Sequence, residues 1–188
     1  MNFDNTEIFY HPFESSSNSL IFSKEESIHV IKVLRLKEND LVTVINGKGS
    51  KILGEIIDPN SKSTKIKIIK RVASRPKISN KIHIAISPTK NINRFEWFIE
   101  KSIELGLSEI TPILTLHSER SKLNYERLIK KMITALKQSK NLYLPKLNPI
   151  INFQNFIKTK HQAQKFICHN ENKNNHYLKD KLIKGQKY

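Results

Sequence analysis

The sequence predicts two architectures in succession: a small β-barrel, then an α/β domain on a mostly parallel sheet. Three observations carry that prediction. Up to about residue 72 the apolar residues mostly alternate with period two, around one amphipathic helix. The polar, proline-bearing stretch "ASRPKISNK" (73–81) then reads as a linker. Beyond it, short apolar runs alternate with segments of helical period, as in strands joined by crossover helices. The chain has 188 residues, enough for one or two small domains with a real core. The expected domains are 1–74 and 75–188.

In the first part, "EIFY" (7–10) and "SLIF" (19–22) are strand-like. "SKEESIHVIKVLRL" (23–36) reads as a helix. Ser23 is its N-cap, Glu26 completes a capping box, and Ile28, Ile31 and then Leu34 or Arg35 continue its face. "DLVTVINGKGSKILGEII" (40–57) predicts a hairpin around Asn46-Gly47. A phosphate loop would need a helix after those glycines, and a strand follows instead. "TKIKIIKRV" (64–72) alternates again. In the second part, "KIHIAI" (81–86), "EITPIL" (109–114) and "KFICH" (165–169) are expected strands. Residues 91–105, 124–140, "FQNFI" (153–157) and "HYLKDKLI" (176–183) are expected helices.

The stretch "EWFIEKSIELGLSEITPI" (96–113) is dense in carboxylates. At helical spacing, Phe95, Phe98, Ile99, Ser102 and Ile103 form one stripe that should pack on the sheet, with Gly106 ending the helix. Glu96, Glu100 and Glu104 line one flank. Such a row is expected to be solvated or paired with lysines rather than to do acid/base work. Trp97 points away from the stripe, one turn below Lys101. It reads as covered by the first domain or by another subunit.

Formal net charge is +16, with a pI near 9.9. Residues 1–60 carry 6 basic and 9 acidic side chains, against 27 and 8 in residues 61–188. Between Asp58 and Glu96 there is no carboxylate side chain. This field fits a polyanion, most simply nucleic acid; the other reading is a general bias toward Lys, Asn and Ile. No run is apolar and long enough to span a bilayer, and the start, "MNFDNTEIFY", does not read as a signal peptide. Cys168 is the single cysteine, which fits a reducing cytoplasm. His161, Cys168, His169 and His176 lack the spacing of a structural zinc site, so no metal is expected. "LHSERSK" (116–122) follows a predicted strand of the parallel sheet, where such sheets bind ligands. Arg120 could meet an anion or a base there, with Ser121 donating a hydrogen bond. An ordinary solvated surface loop is the open alternative.

Four segments taken together resemble a known family: "HVIKVLRLKENDLVTVINGKG", "PTKNINRFEWFIEKSIELGLSEITPI", "SERS" and "ALKQSKNLYLPKL". Their order and spacing are similar to those of the bacterial 16S ribosomal RNA (uridine N-3) methyltransferases (RsmE) of the SPOUT superfamily, from about residue 7 to the end. The matching residues are His29, Val33, Leu34, Arg35 and Leu36; Glu96, Trp97, Lys101, Glu104, Leu105 and Gly106; Glu119, Arg120 and Ser121; and Gln138, Ser139 and Pro145. Asn39-Asp40 departs from the family's Gly-Asp, and Lys140-Asn141 stands where a small residue and an arginine are common.

The resemblance implies an N-terminal PUA-like, RNA-binding β-barrel and a C-terminal SPOUT α/β domain, trefoil-knotted in the family. It implies a cytoplasmic homodimer that methylates a uridine N-3 of small-subunit ribosomal RNA with S-adenosylmethionine. No membrane and no metal are implied. Arg120 is the candidate to stabilise the uracil anion, and no general base is assigned. Lys65, Lys67, Lys70, Arg71 and Lys90 are expected to contact phosphates, and Arg35, Arg94, Ser121 and Gln138 complete the RNA-binding candidates. The glycine-rich cofactor loop and knot segment are expected beyond Tyr188. On that expectation the 188-residue chain is inactive by itself, and the alternative reading is a non-catalytic RNA-binding protein or an inactive fragment.

Overall fold

A computed structural model describes residues 3, 6–14, 17–73, 82–159, 163–168 and 177–182. They form two compact units that interleave along the chain, rather than meeting at one boundary near residue 74. One gathers Met1–Lys77, Glu96–Gly106 and Asn124–Leu144; the other gathers Ile78–Phe95, Leu107–Leu123 and Pro145–Tyr188.

In the first unit, β1 (Ile8–Tyr10), β2 (Ser19–Ile21), β3 (Leu41–Ile45), β4 (Ser50–Asp58) and β5 (Lys65–Ala73) form one sheet in the order β1-β3-β4-β5-β2. β1 pairs with β3 in parallel and the other pairs are antiparallel. Both edge strands feed the same core: Phe9 and Leu20 join Val42, Val44, Ile52, Ile56 and Ile66. A sheet whose two edges meet over one core is the barrel that the period-two pattern predicts. Phe9 stacks on Phe22 at 5.2 Å between ring centres.

The expected helix at 23–36 is shorter and of two kinds. α1 (Lys24–Ile28) continues into a π-helical turn, His29–Val33. Ser23 caps α1 by accepting the Glu26 N–H at 3.3 Å. The reciprocal half of the capping box is replaced: the Glu26 carboxylate binds Lys137 at 2.8 Å. A charge-assisted pair outweighs one more bond to a solvent-accessible N–H.

The hairpin forms, but its loop is longer than an Asn-Gly two-residue turn, because β3 ends at Ile45 and β4 begins at Ser50. The Asn46 side chain organises it, accepting from the N–H groups of Lys48 and Ser50. Residues 74–81, most of the expected linker, lie outside the described residues.

α2 (Ile92–Glu104) and α3 (Tyr125–Ser139) follow the predicted spans. Phe95, Ile99, Ser102 and Ile103 are buried, as the stripe requires. Asn124 caps α3 by accepting the Arg127 N–H, and α3 ends on Lys140 in the left-handed region, φ 55°. The Leu142–Leu144 segment then pairs with the hairpin tip: Gly49 N–H donates to Leu142 O, and Leu144 N–H to Gly47 O, each at 2.8 Å.

The second unit is a parallel sheet. β6 (His83–Ile86) lies beside β7 (Glu109–Leu114), and β7 pairs on its other side with β8 (Lys146–Leu147) and then β9 (Ile151–Asn152). β8 and β9 are two residues each and too short for a period to reveal them. α4 (Phe153–Lys158) follows β9, capped by Asn152. The expected strand at 165–169 is not formed over its described residues, 165–168, which are exposed and irregular. An apolar run without a neighbouring edge leaves its backbone to water. α5 is only Leu178–Lys181.

Candidate functional site

Three groups of residues carry the candidate chemistry. On β5, Lys65, Lys67, Lys70 and Arg71 are all exposed. The β4–β5 register shift at Leu53/Gly54 leaves Ile69 unpaired. A bulge of this kind turns the strand and lets Lys70 follow Lys67 on one surface, although they are three residues apart. The segment free of carboxylates in sequence is not so in space. Asp58 sits across from Lys65, and Glu55 across from Lys67, by strand pairing. Lys70 and Arg71 face Leu53 and Ile52 instead. Arg71 also donates to Glu14 O at 3.4 Å and lies 5.9 Å from the Phe13 ring centre.

The second group lies at the carboxyl ends of β6 and β7. Ser87 and Ser118 share a hydrogen bond of 2.8 Å, and Ser118 Oγ also accepts from the Thr115 N–H at 2.7 Å. Arg120 donates from Nε to Thr89 O at 3.3 Å and from Nη2 to Lys90 O at 2.8 Å. Lys90 pairs with Glu119 at 3.3 Å. The two loops are therefore tied in three places, and the Arg120 guanidinium is held in position by carbonyls. Ser121 and Arg94 are exposed nearby in sequence, and Leu116 is 92% exposed.

The third group is the α2 flank with α3. Glu100 and Glu104 behave as a charged row should, each within reach of Lys101 at 3.6 and 2.8 Å. Those carboxylates hold the Lys101 ammonium above its usual pKa, chiefly through the Glu104 bond. Glu96 does not: its side chain is 4% exposed. Arg127 grips it from Nε at 2.6 Å and Nη2 at 3.0 Å, and Lys131 stands 3.6 Å away. A readable signal exists. At ~100° per residue Glu96 falls about 20° from Ile103 and about 60° from Ile99, inside the apolar arc. Arg127, Lys130, Lys131 and the exposed Gln138 line an open cleft of about 620 Å³ together with Glu100 and Glu126. Its cations are largely answered already: Arg127 and Lys131 by Glu96, Lys130 by Glu25 and Glu126. Those two carboxylates raise the Lys130 pKa, Glu25 most strongly.

One polar cluster has no signal in the sequence. Asn148 donates to Glu109 Oε1 and to Thr111 Oγ1, each at 2.7 Å, and His83 Nε2 meets Thr111 Oγ1 at 2.7 Å. Burial pushes the Glu109 carboxyl up, but the Asn148 bond and the nearby His83 and Lys146 outweigh it, leaving the pKa below its usual value. His161, His169 and His176 lie outside the described residues, while Cys168 is exposed. Trp97 is 63% exposed, so the expectation that the first domain covers it is not met.

Residues 76–187 match a family model described as the RNA methyltransferase domain, and residues 22–69 one described as the RNA methyltransferase PUA domain. A ribosomal RNA small subunit methyltransferase E from Rickettsia conorii is 25% identical over 166 residues, covering 88% of this chain and 67% of that protein. Two solved structures have a TM-score of 0.75. One is a probable rRNA-methyltransferase from Porphyromonas gingivalis, 31% identical, covering 84% of this chain and 65% of that one. The other is a putative methyltransferase from Legionella pneumophila with bound cofactor SAM, 26% identical, covering 88% and 71%. The chain thus spans about two thirds of the length of these relatives. Its barrel precedes a parallel-sheet unit as in the PUA-plus-SPOUT arrangement, and with the first model spanning more than half of its residues, the chain belongs to the RNA methyltransferase family.

Proposed function

We propose that the chain binds small-subunit ribosomal RNA and serves S-adenosylmethionine-dependent methylation of a uridine N-3, in the cytoplasm. The reading rests on one structural observation above all: the two loops at the carboxyl ends of β6 and β7 are tied together around a fixed guanidinium. Uracil N3 carries a weakly acidic proton, and the ring becomes anionic as it is lost. Arg120, already held by Thr89 O and Lys90 O, offers its positive charge without having to reorganise. Leu116, four residues before it, exposes apolar surface of the kind an adenine ring covers and would serve as one flank of the cofactor site. The cofactor supplies a sulfonium methyl group. The exposed β5 cations, with Lys90 and Arg94, hold phosphates.

The test is transfer of labelled methyl groups to unmodified small subunits. Arg120→Ala should lower the rate by about 10²-fold or more, as for loss of one preorganised donor, and Arg120→Lys should recover little of it. Unchanged rates in both variants would remove Arg120 from the chemistry. Binding of ribosomal RNA without any transfer would favour the non-catalytic reading.

The homodimer belongs to this proposal. Trp97 on α2 and Leu105 just past its end are 63% and 81% exposed, with Lys101 between them in sequence. A second copy covering both accounts for two large apolar groups left in water. Sedimentation should show a dimer that Trp97→Glu dissociates; a monomer at all concentrations would refute it. Among the described residues no helix is long and apolar enough to cross a membrane.

A further inference from the structure

The chain leaves α1 through a turn with unusual backbone. Leu34 N–H donates to His29 O and Leu36 N–H to Val30 O, each at 3.0 Å, so the helix widens and then closes. Arg35 takes the left-handed conformation at that exit, φ 57°. Glycine is the residue that fits there at least cost, and an arginine is held there at a disadvantage. Leu34 and Leu36 pack against the barrel core on either side of it. Val33 and Arg35 face water: Val33 is 64% exposed, and among the described residues the Arg35 guanidinium has no partner.

Three exposed cations of β5 differ. Lys65 and Lys67 stand opposite carboxylates, and Arg71 is bonded to Glu14 O. A strained position kept by a residue with a free planar cation, two residues after an exposed valine, points to recognition rather than to packing. A lysine row suits phosphates, whereas a guanidinium beside an apolar side chain suits a flat base with a polar edge.

We propose that Arg35, with Val33 two residues before it, reads an unpaired nucleobase of the RNA, while the β5 lysines hold the backbone without regard to sequence. This rests on the RNA-binding reading above. The competing explanation is general: a basic residue at a helix exit complements the helix dipole. Lys140 provides the control, since it too is basic, exposed and left-handed at a helix end, φ 55°.

The experiment selects bound species from a random-sequence single-stranded RNA pool with the wild-type protein, Arg35→Gly, Arg35→Lys and Lys140→Gly. Both glycine variants remove one charge and relieve the same backbone strain, so neither should melt below the wild type. Arg35→Lys keeps the charge and the wild-type fold. The wild type should enrich one base at one position by about tenfold or more over the others, the scale of discrimination by a single base-edge contact. Arg35→Gly and Arg35→Lys should flatten that preference, and Lys140→Gly should keep it. Preference intact in the Arg35 variants, or lost equally in Lys140→Gly, would overturn the proposal. Binding by the wild type with no base preference would overturn it while leaving RNA binding standing. No binding of the pool by any form would take both down.

Discussion

Glu96 depends on a fork that is only half sheltered. Its side chain is 4% exposed, whereas Arg127 is 55% exposed. Removing either partner therefore has unequal consequences. Glu96→Gln frees cations that water can reach, and should cost about 1 kcal/mol. Arg127→Ala leaves a buried carboxylate facing only Lys131 at 3.6 Å, and should cost about 2–3 kcal/mol. Denaturant unfolding of the two variants checks the order. His11 makes a second prediction at this scale. Burial holds its pKa below the ordinary value, against an opposing bond to the Ile21 backbone. The unfolded chain then binds a proton that the folded chain refuses. Stability should fall as pH drops from about 6.5 toward the folded pKa. Melts at pH values either side of 6 should show that slope, and His11→Gln should flatten it; an unaltered slope would mean another group causes it.

Among the elements, the β3–β4 hairpin does more than reverse the chain. Its tip holds the segment after α3 through two backbone bonds, and the ring of Tyr143 occupies the space a side chain at Gly49 would need. Gly49 also has φ 92°, which other residues resist. Gly49→Ala should destabilise by about 2–3 kcal/mol, well above the cost of alanine in an unstrained turn. Hydrogen exchange should show Leu144 N–H losing protection first. Asn141 likewise secures a chain end, since its side-chain amide donates to Ile103 O at 2.6 Å and closes the last turn of α2. The departure from the family pattern at 141 is thus a working cap in this chain.

For the whole molecule the controlling quantity is charge. With +16 overall and the excess concentrated after residue 60, RNA affinity should fall steeply with salt. Replacing Lys65, Lys67 and Lys70 with glutamine should remove about one unit of log–log slope per lost phosphate contact, whatever the RNA sequence. Lys70 should contribute more than the other two, because no carboxylate sits across from it. An unchanged slope in the triple variant would move the RNA surface elsewhere.

By itself, the sequence determined the order of the two architectures, the spans of α2 and α3, and the Ser23 cap, because local period and capping chemistry act over a few residues. It also carried the family, since its signature segments keep their spacing. Only the tertiary structure decided what each polar group meets. Asn148 reaches Glu109 and Thr111 from 37 or more residues away. Glu26 leaves its own helix cap for Lys137, and carboxylates of β4 stand opposite lysines that look unopposed along the chain. Arg120 reads as a free cation in a loop but is anchored by two carbonyls 30 and 31 residues earlier. Such pairings depend on how strands register and loops close. Periodicity reports which side of an element faces inward, and is silent on what waits there.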